Sequence, residues 1–275
     1  MRVAIDIRRA GDYGFGTYIR NIVNQLGRLD RSTRYLLIGQ RQHLEQFEPL
    51  PDNFELLDHP YSYISWRAHT QLPWLLRQRR VDILHVPWLF APIFVPMRLV
   101  VTVHDLSDVM DRQPGVPPVT QAGARFFARV AARQANHIFA VSYATKRDVA
   151  RTFRISESRI SVVYNAVEER FLNDPLPADA DRILERHAVT GPYVLYAGAI
   201  KPQKNLPRLI EAFAVAKAEL AAENPEFAQL KLLVIGEAPA RHAELRSAVV
   251  RARVKEDVRF LGFLPQPLLR VFYAR

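Results

Sequence analysis

The chain has 275 residues, no cysteine, a formal charge of +10 and a sequence pI of about 10.1. That length holds about two domains of ordinary size, and a chain without cysteine has neither a disulfide framework nor thiol chemistry. The basic balance favours anionic partners: nucleotide phosphates, an acidic membrane surface or nucleic acid.

The chain opens with MRVAIDIRRAG, where Asp6, Arg8 and Arg9 stand in place of the unbroken apolar run of a secretory signal. Short β-branched runs follow along the sequence: RVAIDI, RYLLIG, DILHVP, RLVVTVH, NHIFAVS and RISVVY are predicted strands. Between the first two, Ile19, Ile22, Val23, Leu26 and Leu29 form one apolar helical stripe, opened by Thr17 as a cap. YSYISWRAHTQLPWLLRQRR interleaves Trp66, Trp74, Leu75 and Leu76 with arginines, the pattern of a core helix with snorkelling arginines or of an interfacial anchor. ILHVPWLFAPIFVPM is the most apolar stretch, but His85, Pro87, Pro92 and Pro96 interrupt it, and it is shorter than the ~20 residues of a spanning helix. The chain therefore reads as a soluble protein.

Residues 120–135 and 142–153 are two further predicted helices. On the first, Arg125, Arg129 and Arg133 recur every fourth residue, as a solvated stripe or as one for phosphates or a membrane surface. Strand–helix alternation of this kind implies a mostly parallel sheet covered on both faces. The aspartate- and proline-rich NDPLPADADR reads as a linker. A second alternation follows: strand YVLYAGA, a helix from about Asn205 to Leu220, strand LKLLVIG, a helix from about Arg241 to Arg251, strand VRFLGF and the start of a helix. A complete doubly wound domain has five or six strands, so three read as half a domain and the chain as a truncated product.

In open parallel sheets, ligands bind beyond the carboxyl ends of the strands, near helix N-termini. Four segments fall there. In RRAGDYGFGTYIRN, Gly11, Gly14 and Gly16 form a loop that either admits a phosphate close to the backbone or simply turns. The third glycine of the dinucleotide fingerprint is absent, Ile19 standing in its place. VVTVHDL puts His104 and Asp105 at a strand end, with no spacing that makes a metal site. The carboxylate could orient the ring, but adjacent strand residues point to opposite faces.

The third segment, YVLYAGAIKPQKNLPRLIEAF, stops a strand at Gly198, passes Lys201 and Lys204, and enters a helix through Asn205 as N-cap and Pro207 in the first turn. Cations at a helix N-terminus are mildly unfavourable unless an anion neutralises them. A phosphate would satisfy both lysines; a solvated pair is the plain alternative. The fourth segment, LLVIGEAP, places Gly236 and Glu237 at a strand-to-helix turn. A charge-assisted hydrogen bond contributes about 1.5–3 kcal/mol, whereas micromolar binding needs roughly 8 kcal/mol. Base and ribose contacts must supply the difference, and no acidic residue is placed to hold a ribose.

Taken in order, these segments resemble the GT-B glycosyltransferases, specifically the retaining group called family 4, over essentially the whole chain. GFGTYIRNIV is similar to the family's Gly-x-Gly-Arg-Tyr entry loop, and HVPWLFAP with VVTVHDL to its His-Asp segment. AVSYATKRDVARTFRISESRISVVYNAVEERF resembles the close of the first domain. YVLYAGAIKPQKNLPRLIEAF resembles the start of the nucleotide domain, and VRFLGFLPQPLLRVFYAR the strand and helix two elements on.

The resemblance implies an α/β fold of two Rossmann-like doubly wound domains facing a cleft. Residues 1–172 would form the acceptor-side domain, 173–184 a linker and 185–275 a partial nucleotide-sugar domain. It implies transfer of a hexose, mannose or rhamnose among the expected ones, from a nucleotide-sugar donor to a glycan or lipid-linked acceptor, with retention. The expected setting is cell-surface polysaccharide assembly, in the cytoplasm and in peripheral contact with the anionic inner face of the membrane. No metal and no cofactor beyond the nucleotide-sugar co-substrate are implied.

Carried over by position, His104 faces the sugar and Lys204 holds the diphosphate and stabilises the leaving group, which makes these two the catalytic candidates. Gly14 and Gly16 approach the donor phosphate through backbone N–H groups, and Lys201 and Gly198 complete the donor set. Asp105 and Arg8 are acceptor-side candidates. Ala199 stands where many members carry arginine, and Asn165-Ala166 replaces an Asn-Gly pair. The family's paired-glutamate signature is missing from its place; Glu211 and Glu219 have the spacing but come two strands early and read as a solvated face. The expectation is a chain that is inactive or nearly so alone and binds nucleotide weakly. Two other functions compete: a non-catalytic nucleotide- or sugar-binding module of the same fold, and a nucleic-acid binder. The second rests on charge alone and lacks any groove-reading or stacking motif, so no nucleic-acid partner is expected.

Overall fold

The computed structural model describes residues 1–45, 47, 49–110, 116–167, 169–236 and 242–275. Glu237 and Arg241 lie outside the described residues. In chain order the elements are β1 (Arg2–Asp6), α1 (Tyr13–Leu29), β2 (Arg34–Gly39), α2 (Arg41–Leu44), β3 (Phe54–Asp58), α3 (Trp66–Gln78), β4 (Ile83–Val86) and β5 (Arg98–Val103). There follow α4 (Ser107–Met110), α5 (Pro118–Gln134), β6 (His137–Ala140), α6 (Tyr143–Phe153), β7 (Ile160–Val162), α7 (Glu169–Asn173) and α8 (Ala180–Arg186). The rest comprises β8 (Tyr193–Ala197), α9 (Leu206–Glu223), β9 (Lys231–Ile235), α10 (Ala243–Arg251), β10 (Val258–Gly262) and α11 (Gln266–Ala274). The chain divides into two compact units, Met1–Ala166 and Val167–Arg275.

The first unit is built on one parallel sheet in the order β3-β2-β1-β4-β5-β6-β7. Ala4 of β1 is in register with Leu36 on one side and Leu84 on the other, so the strand order reverses at β1. That reversal opens a crevice beyond the carboxyl ends of β1 and β4. Leu36, Leu37 and Ile38 are all buried, as both-face coverage by helices requires. The edge strand β3 was not among the predicted strands. Its FELLD sequence is short, its acidic residues stay near solvent, and Glu55 pairs with Arg2 at 2.6 Å.

Helix α1 begins at Tyr13, one turn before the expected cap at Thr17. Asp12 occupies the N-cap position without a side-chain cap, because its carboxylate is held by Arg9 at 2.5 Å. Gly14 and Gly16 therefore lie in the first helical turn and not in a loop. A Cβ on Gly16 would stand 2.3 Å from the Ala10 carbonyl oxygen, whereas one on Gly14 would meet nothing. In α3, Ser65 caps the helix, Leu72 and Leu76 are buried, and Trp66 and Trp74 are exposed. The four apolar residues grouped from the sequence thus divide between core and surface.

In the second unit, β10-β9-β8 form a three-stranded parallel sheet. Alternation along β9 splits its core. Leu232 and Val234 pack with Ile210 and Phe213 of α9 and Leu245 of α10. Leu233 and Ile235 pack with Ile183 of α8 and Val271 and Phe272 of α11. The stretch expected as a linker over 173–184 is thus partly helical: Ala180 and Ile183 are buried, an amphipathic spacing that the neighbouring aspartates mask. The expected domain boundary at 172 falls within α7, six residues beyond the division after Ala166.

Candidate functional site

His104 follows β5 at the crevice. Its Nε2–H donates to the Pro87 carbonyl at 3.1 Å, and since a carbonyl only accepts, that nitrogen carries the proton. The ring is clamped edge-on by Phe15 at 4.9 Å and Tyr18 at 4.8 Å, both from α1. Burial pushes its pKa below the ordinary histidine value and Arg9 acts in the same direction, while the Pro87 bond and Asp105 oppose. The imidazole is therefore neutral at pH 7 and keeps Nδ1 as an acceptor.

Behind it runs a buried polar chain. Tyr18 hydroxyl and Thr102 Oγ1 are 3.1 Å apart, and Thr102 Oγ1 lies 2.9 Å from His85 Nε2. Burial, with His104 adding to it, pushes His85 down to about 4. The Arg9 guanidinium lies 3.9 Å over the Phe15 ring, with Tyr63 and Trp88 near 5.6 and 5.8 Å. Trp88 Nε1 is buried without an acceptor among the described residues.

The start of α1 faces the same crevice. The Gly16 N–H donates to the Asp12 carbonyl at 3.0 Å and is unavailable to a ligand, which removes Gly16 from the expected phosphate contacts. Among the described residues no acceptor meets the N–H groups of Gly14 and Phe15, so the anion-binding end of the helix is offset by one residue from the expectation.

Both acceptor-side candidates make bonds within the first unit. Arg8 Nε and Nη2 clamp Asp6 at 2.9 and 2.5 Å and its Nη1 reaches the Tyr61 carbonyl, with both side chains nearly fully buried. Asp105 Oδ1 accepts from the Ser107 N–H at 2.9 Å and from its hydroxyl, which makes it the cap of α4. The sequence alone does not distinguish a rim carboxylate from a capping one.

In the second unit, Gly198 ends β8 with φ +156, and its N–H donates to the Ile235 carbonyl. Gly236 must be glycine, since a Cβ there would lie 2.3 Å from the Gly198 oxygen. Lys201 and Lys204 bracket a short 3-10 turn before α9, both exposed. No carboxylate pairs with the Lys204 ammonium among the described residues. Asn205 is not the expected side-chain cap: it takes the left-handed conformation, φ 49 and ψ 45, and its carbonyl accepts from Arg208 and Leu209 N–H instead. Glu211 pairs with Arg208 at 3.6 Å and Arg251 at 3.4 Å, and Glu219 is exposed, as a solvated face requires. Among the described residues no cluster of three His, Cys, Asp or Glu forms a metal site, and no helix is long and apolar enough to cross a membrane.

Each unit thus assembles part of the candidate set: His104 and the Gly14 turn in the first, Gly198, Lys201 and Lys204 in the second. Phe15, Tyr18, Thr102, His85 and Arg9 escaped the sequence reading. An aromatic at helical spacing reads first as core, and only the switch point of the sheet shows which ones border the crevice.

Two Rossmann-like units, each presenting a helix start at the carboxyl edge of a parallel sheet, define the architecture of the GT-B glycosyltransferases. The profile of Glycosyltransferase Family 4 matches residues 13–171, and that of the glycosyl transferases group 1 matches residues 179–275. The chain belongs to Glycosyltransferase Family 4. It is 24% identical over 175 residues to the O-antigen chain mannosyltransferase RfbU of Salmonella typhimurium, covering 64% of this chain and 42% of that protein. It is 26% identical over 134 residues to the serotype-specific mannosyltransferase WbdA of Escherichia coli, covering 48% of this chain and 16% of that one. The matched stretches thus span less than half the length of these relatives. In structure it is similar to HepE of Anabaena in complex with UDP and glucose, with a TM-score of 0.68, 19% identity, and coverage of 98% of this chain and 71% of that one.

Proposed function

We propose that the chain serves the transfer of a hexose from a nucleoside-diphosphate sugar to a glycan or lipid-linked acceptor, with retention, in cell-surface polysaccharide assembly at the cytoplasmic face of a membrane. The observation that carries this reading is the neutral His104, its Nε2–H fixed on Pro87, beside the unsatisfied N–H groups that open α1. A neutral imidazole with Nδ1 open accepts from a sugar hydroxyl, and helix-start amide N–H groups donate to phosphate oxygens. Lys204 supplies the exposed cation that stabilises a departing diphosphate. These groups handle the developing charge in the proposal without a metal or other cofactor. Mannose as the transferred sugar is supported by the two relatives named as mannosyltransferases, and retention by family membership.

Glu211 is engaged with arginines and Ala199 stands where many members carry arginine, so neither position adds a contact to the donor set. We accordingly expect nucleoside diphosphates to bind this chain weakly, above the low-micromolar range. The test is calorimetric titration of the chain and of Lys204→Ala with UDP and GDP, with uridine and guanosine as phosphate-free controls. Loss of one charge-assisted contact should weaken diphosphate binding about tenfold or more and leave nucleoside binding and thermal melting unchanged. Equal diphosphate affinities for the two proteins would overturn the assignment. Anomer-resolved NMR of any transferred product then separates retention from inversion, and binding without transfer would point to a non-catalytic module.

A further inference from the structure

Arg8 and Arg9 follow β1 side by side and end in opposite settings. Arg8 is engaged inside the unit, on Asp6 and the Tyr61 carbonyl. Arg9 makes one bond, from Nε to Asp12 at 2.5 Å. Its two terminal nitrogens meet no acceptor among the described residues. The side chain keeps 21% of its surface exposed, so a ligand can reach the guanidinium. Asp12 offsets part of the charge, but its own side chain is 45% exposed and water screens it.

Aromatic rings hold Arg9 in place. The guanidinium lies 3.9 Å over the Phe15 ring, with Tyr63 at 5.6 Å and Trp88 at 5.8 Å. A cation stacked in this way has little freedom left to lose on binding, and its planar fork of donors matches a phosphate or a carboxylate. The same Phe15 ring meets His104 edge-on at 4.9 Å, so the cation and the imidazole share one aromatic neighbour. Arg9 also helps to lower the His104 pKa, which puts its charge within electrostatic reach of that ring.

A second, independent feature lies beside it. Trp88 follows Pro87, whose carbonyl holds His104, and its ring is 5.8 Å from Tyr63. Trp88 is 1% exposed, and its Nε1–H is buried without an acceptor among the described residues. A buried donor left in that state is uncommon and costly, and a ligand oxygen would satisfy it. Aromatic faces with a few convergent donors are the equipment of a small-molecule site.

We propose that Arg9, with Trp88 and Tyr63, binds an anionic group carried by the acceptor sugar, a phosphate or a carboxylate. This rests on the transferase reading, in which the first unit is the acceptor side. In that reading Lys204 and the N–H groups that open α1 take the donor diphosphate, so the anion at Arg9 is a second one. A neutral acceptor would leave both terminal nitrogens of Arg9 without a partner.

The experiment is calorimetric titration of the full chain. Mannose 1-phosphate and glucuronate serve as anionic sugars, methyl mannoside and methyl glucoside as neutral ones, and inorganic phosphate as the free anion. One or both anionic sugars should bind at least tenfold tighter than the neutral sugars and than phosphate, and the tighter of the two identifies the group. Arg9→Gln should weaken that binding about tenfold or more, and Arg9→Lys, which keeps the charge but not the fork, should fall between. Arg34→Gln, at the amino end of β2 and so on the opposite edge of the sheet, should change nothing. In ¹H–¹⁵N spectra the Trp88 indole signal should shift with the anionic sugar, while those of the exposed Trp66 and Trp74 stay in place. Three results would overturn the proposal: phosphate or a neutral sugar binding as tightly as either anionic sugar, equal losses in Arg9→Lys and Arg9→Gln, which would mean packing alone, or an equal loss of UDP and GDP binding in Arg9→Gln, which would make Arg9 a donor contact. Arg9-dependent sugar binding in a protein whose diphosphate affinity ignores Lys204→Ala would instead keep this site and remove its assignment to an acceptor.

Discussion

Acidification should destabilise the first unit through His85, and the size of the effect follows from its surroundings. The ring is buried between β4 and β5, bonded to Thr102 Oγ1 at 2.9 Å, and it shares its neighbourhood with His104. Burial takes its pKa from 6.5 to about 4. The unfolded chain therefore binds a proton that the folded one refuses, and stability is lost as pH falls through that window. One such group contributes about 1.4 kcal/mol per pH unit within the window, or about 3 kcal/mol across it. His43, His59, His69 and His104 are also shifted down, all by burial first, so the wild-type slope is a sum. His85→Gln isolates the single group, because an amide can still bond Thr102 but does not titrate. Urea unfolding should be followed by tryptophan emission, since all three tryptophans lie in the first unit. Between pH 7 and pH 4 the stability difference between wild type and variant should move by about 3 kcal/mol in the variant's favour. Parallel pH profiles would refute the reasoning, as would an NMR titration of the His85 ring near its ordinary value.

Gly16→Ala should destabilise the first unit by about 1–3 kcal/mol in chemical unfolding, because the new methyl meets the Ala10 carbonyl. Gly14→Ala should instead be neutral or stabilising by about 0.5–1 kcal/mol, since its side is open and alanine favours a helix. Asp6→Ala should cost about 3–5 kcal/mol by leaving the buried Arg8 guanidinium unpaired; a loss as small as that of a surface pair would show that Arg8 finds water instead.

Much of the fold was legible because both sheets are parallel and buried. Runs such as RYLLIG and LKLLVIG have few other uses, and their alternation with amphipathic stretches leaves little choice of architecture. Elements at the margins were harder to read. Strand β3 carries charge on an edge, and α8 hides Ala180 and Ile183 among aspartates. In the candidate site, His104 and Lys204 draw attention in the sequence because a polar residue at a strand end or helix start has few structural reasons to be there. Asp105 and Arg8 had such reasons, a cap and a buried ion pair, and these depend on partners that local sequence does not reveal. Tyr18 and Thr102 are polar atoms inside otherwise apolar patterns, and only their meeting with His85 shows that they form a chain.

The split core of the second unit has a consequence for the order of folding. The layer against α9 and α10 is contributed by residues close in sequence to β9. The opposite layer joins Ala180 and Ile183 to Val271 and Phe272, closing a loop that encloses most of the unit. Such closure is entropically late. During synthesis one side of the sheet can be dressed while the other has only the residues of α8 to cover it until those of α11 have emerged, and for that interval the apolar row of Leu233 and Ile235 is the surface most in need of a chaperone.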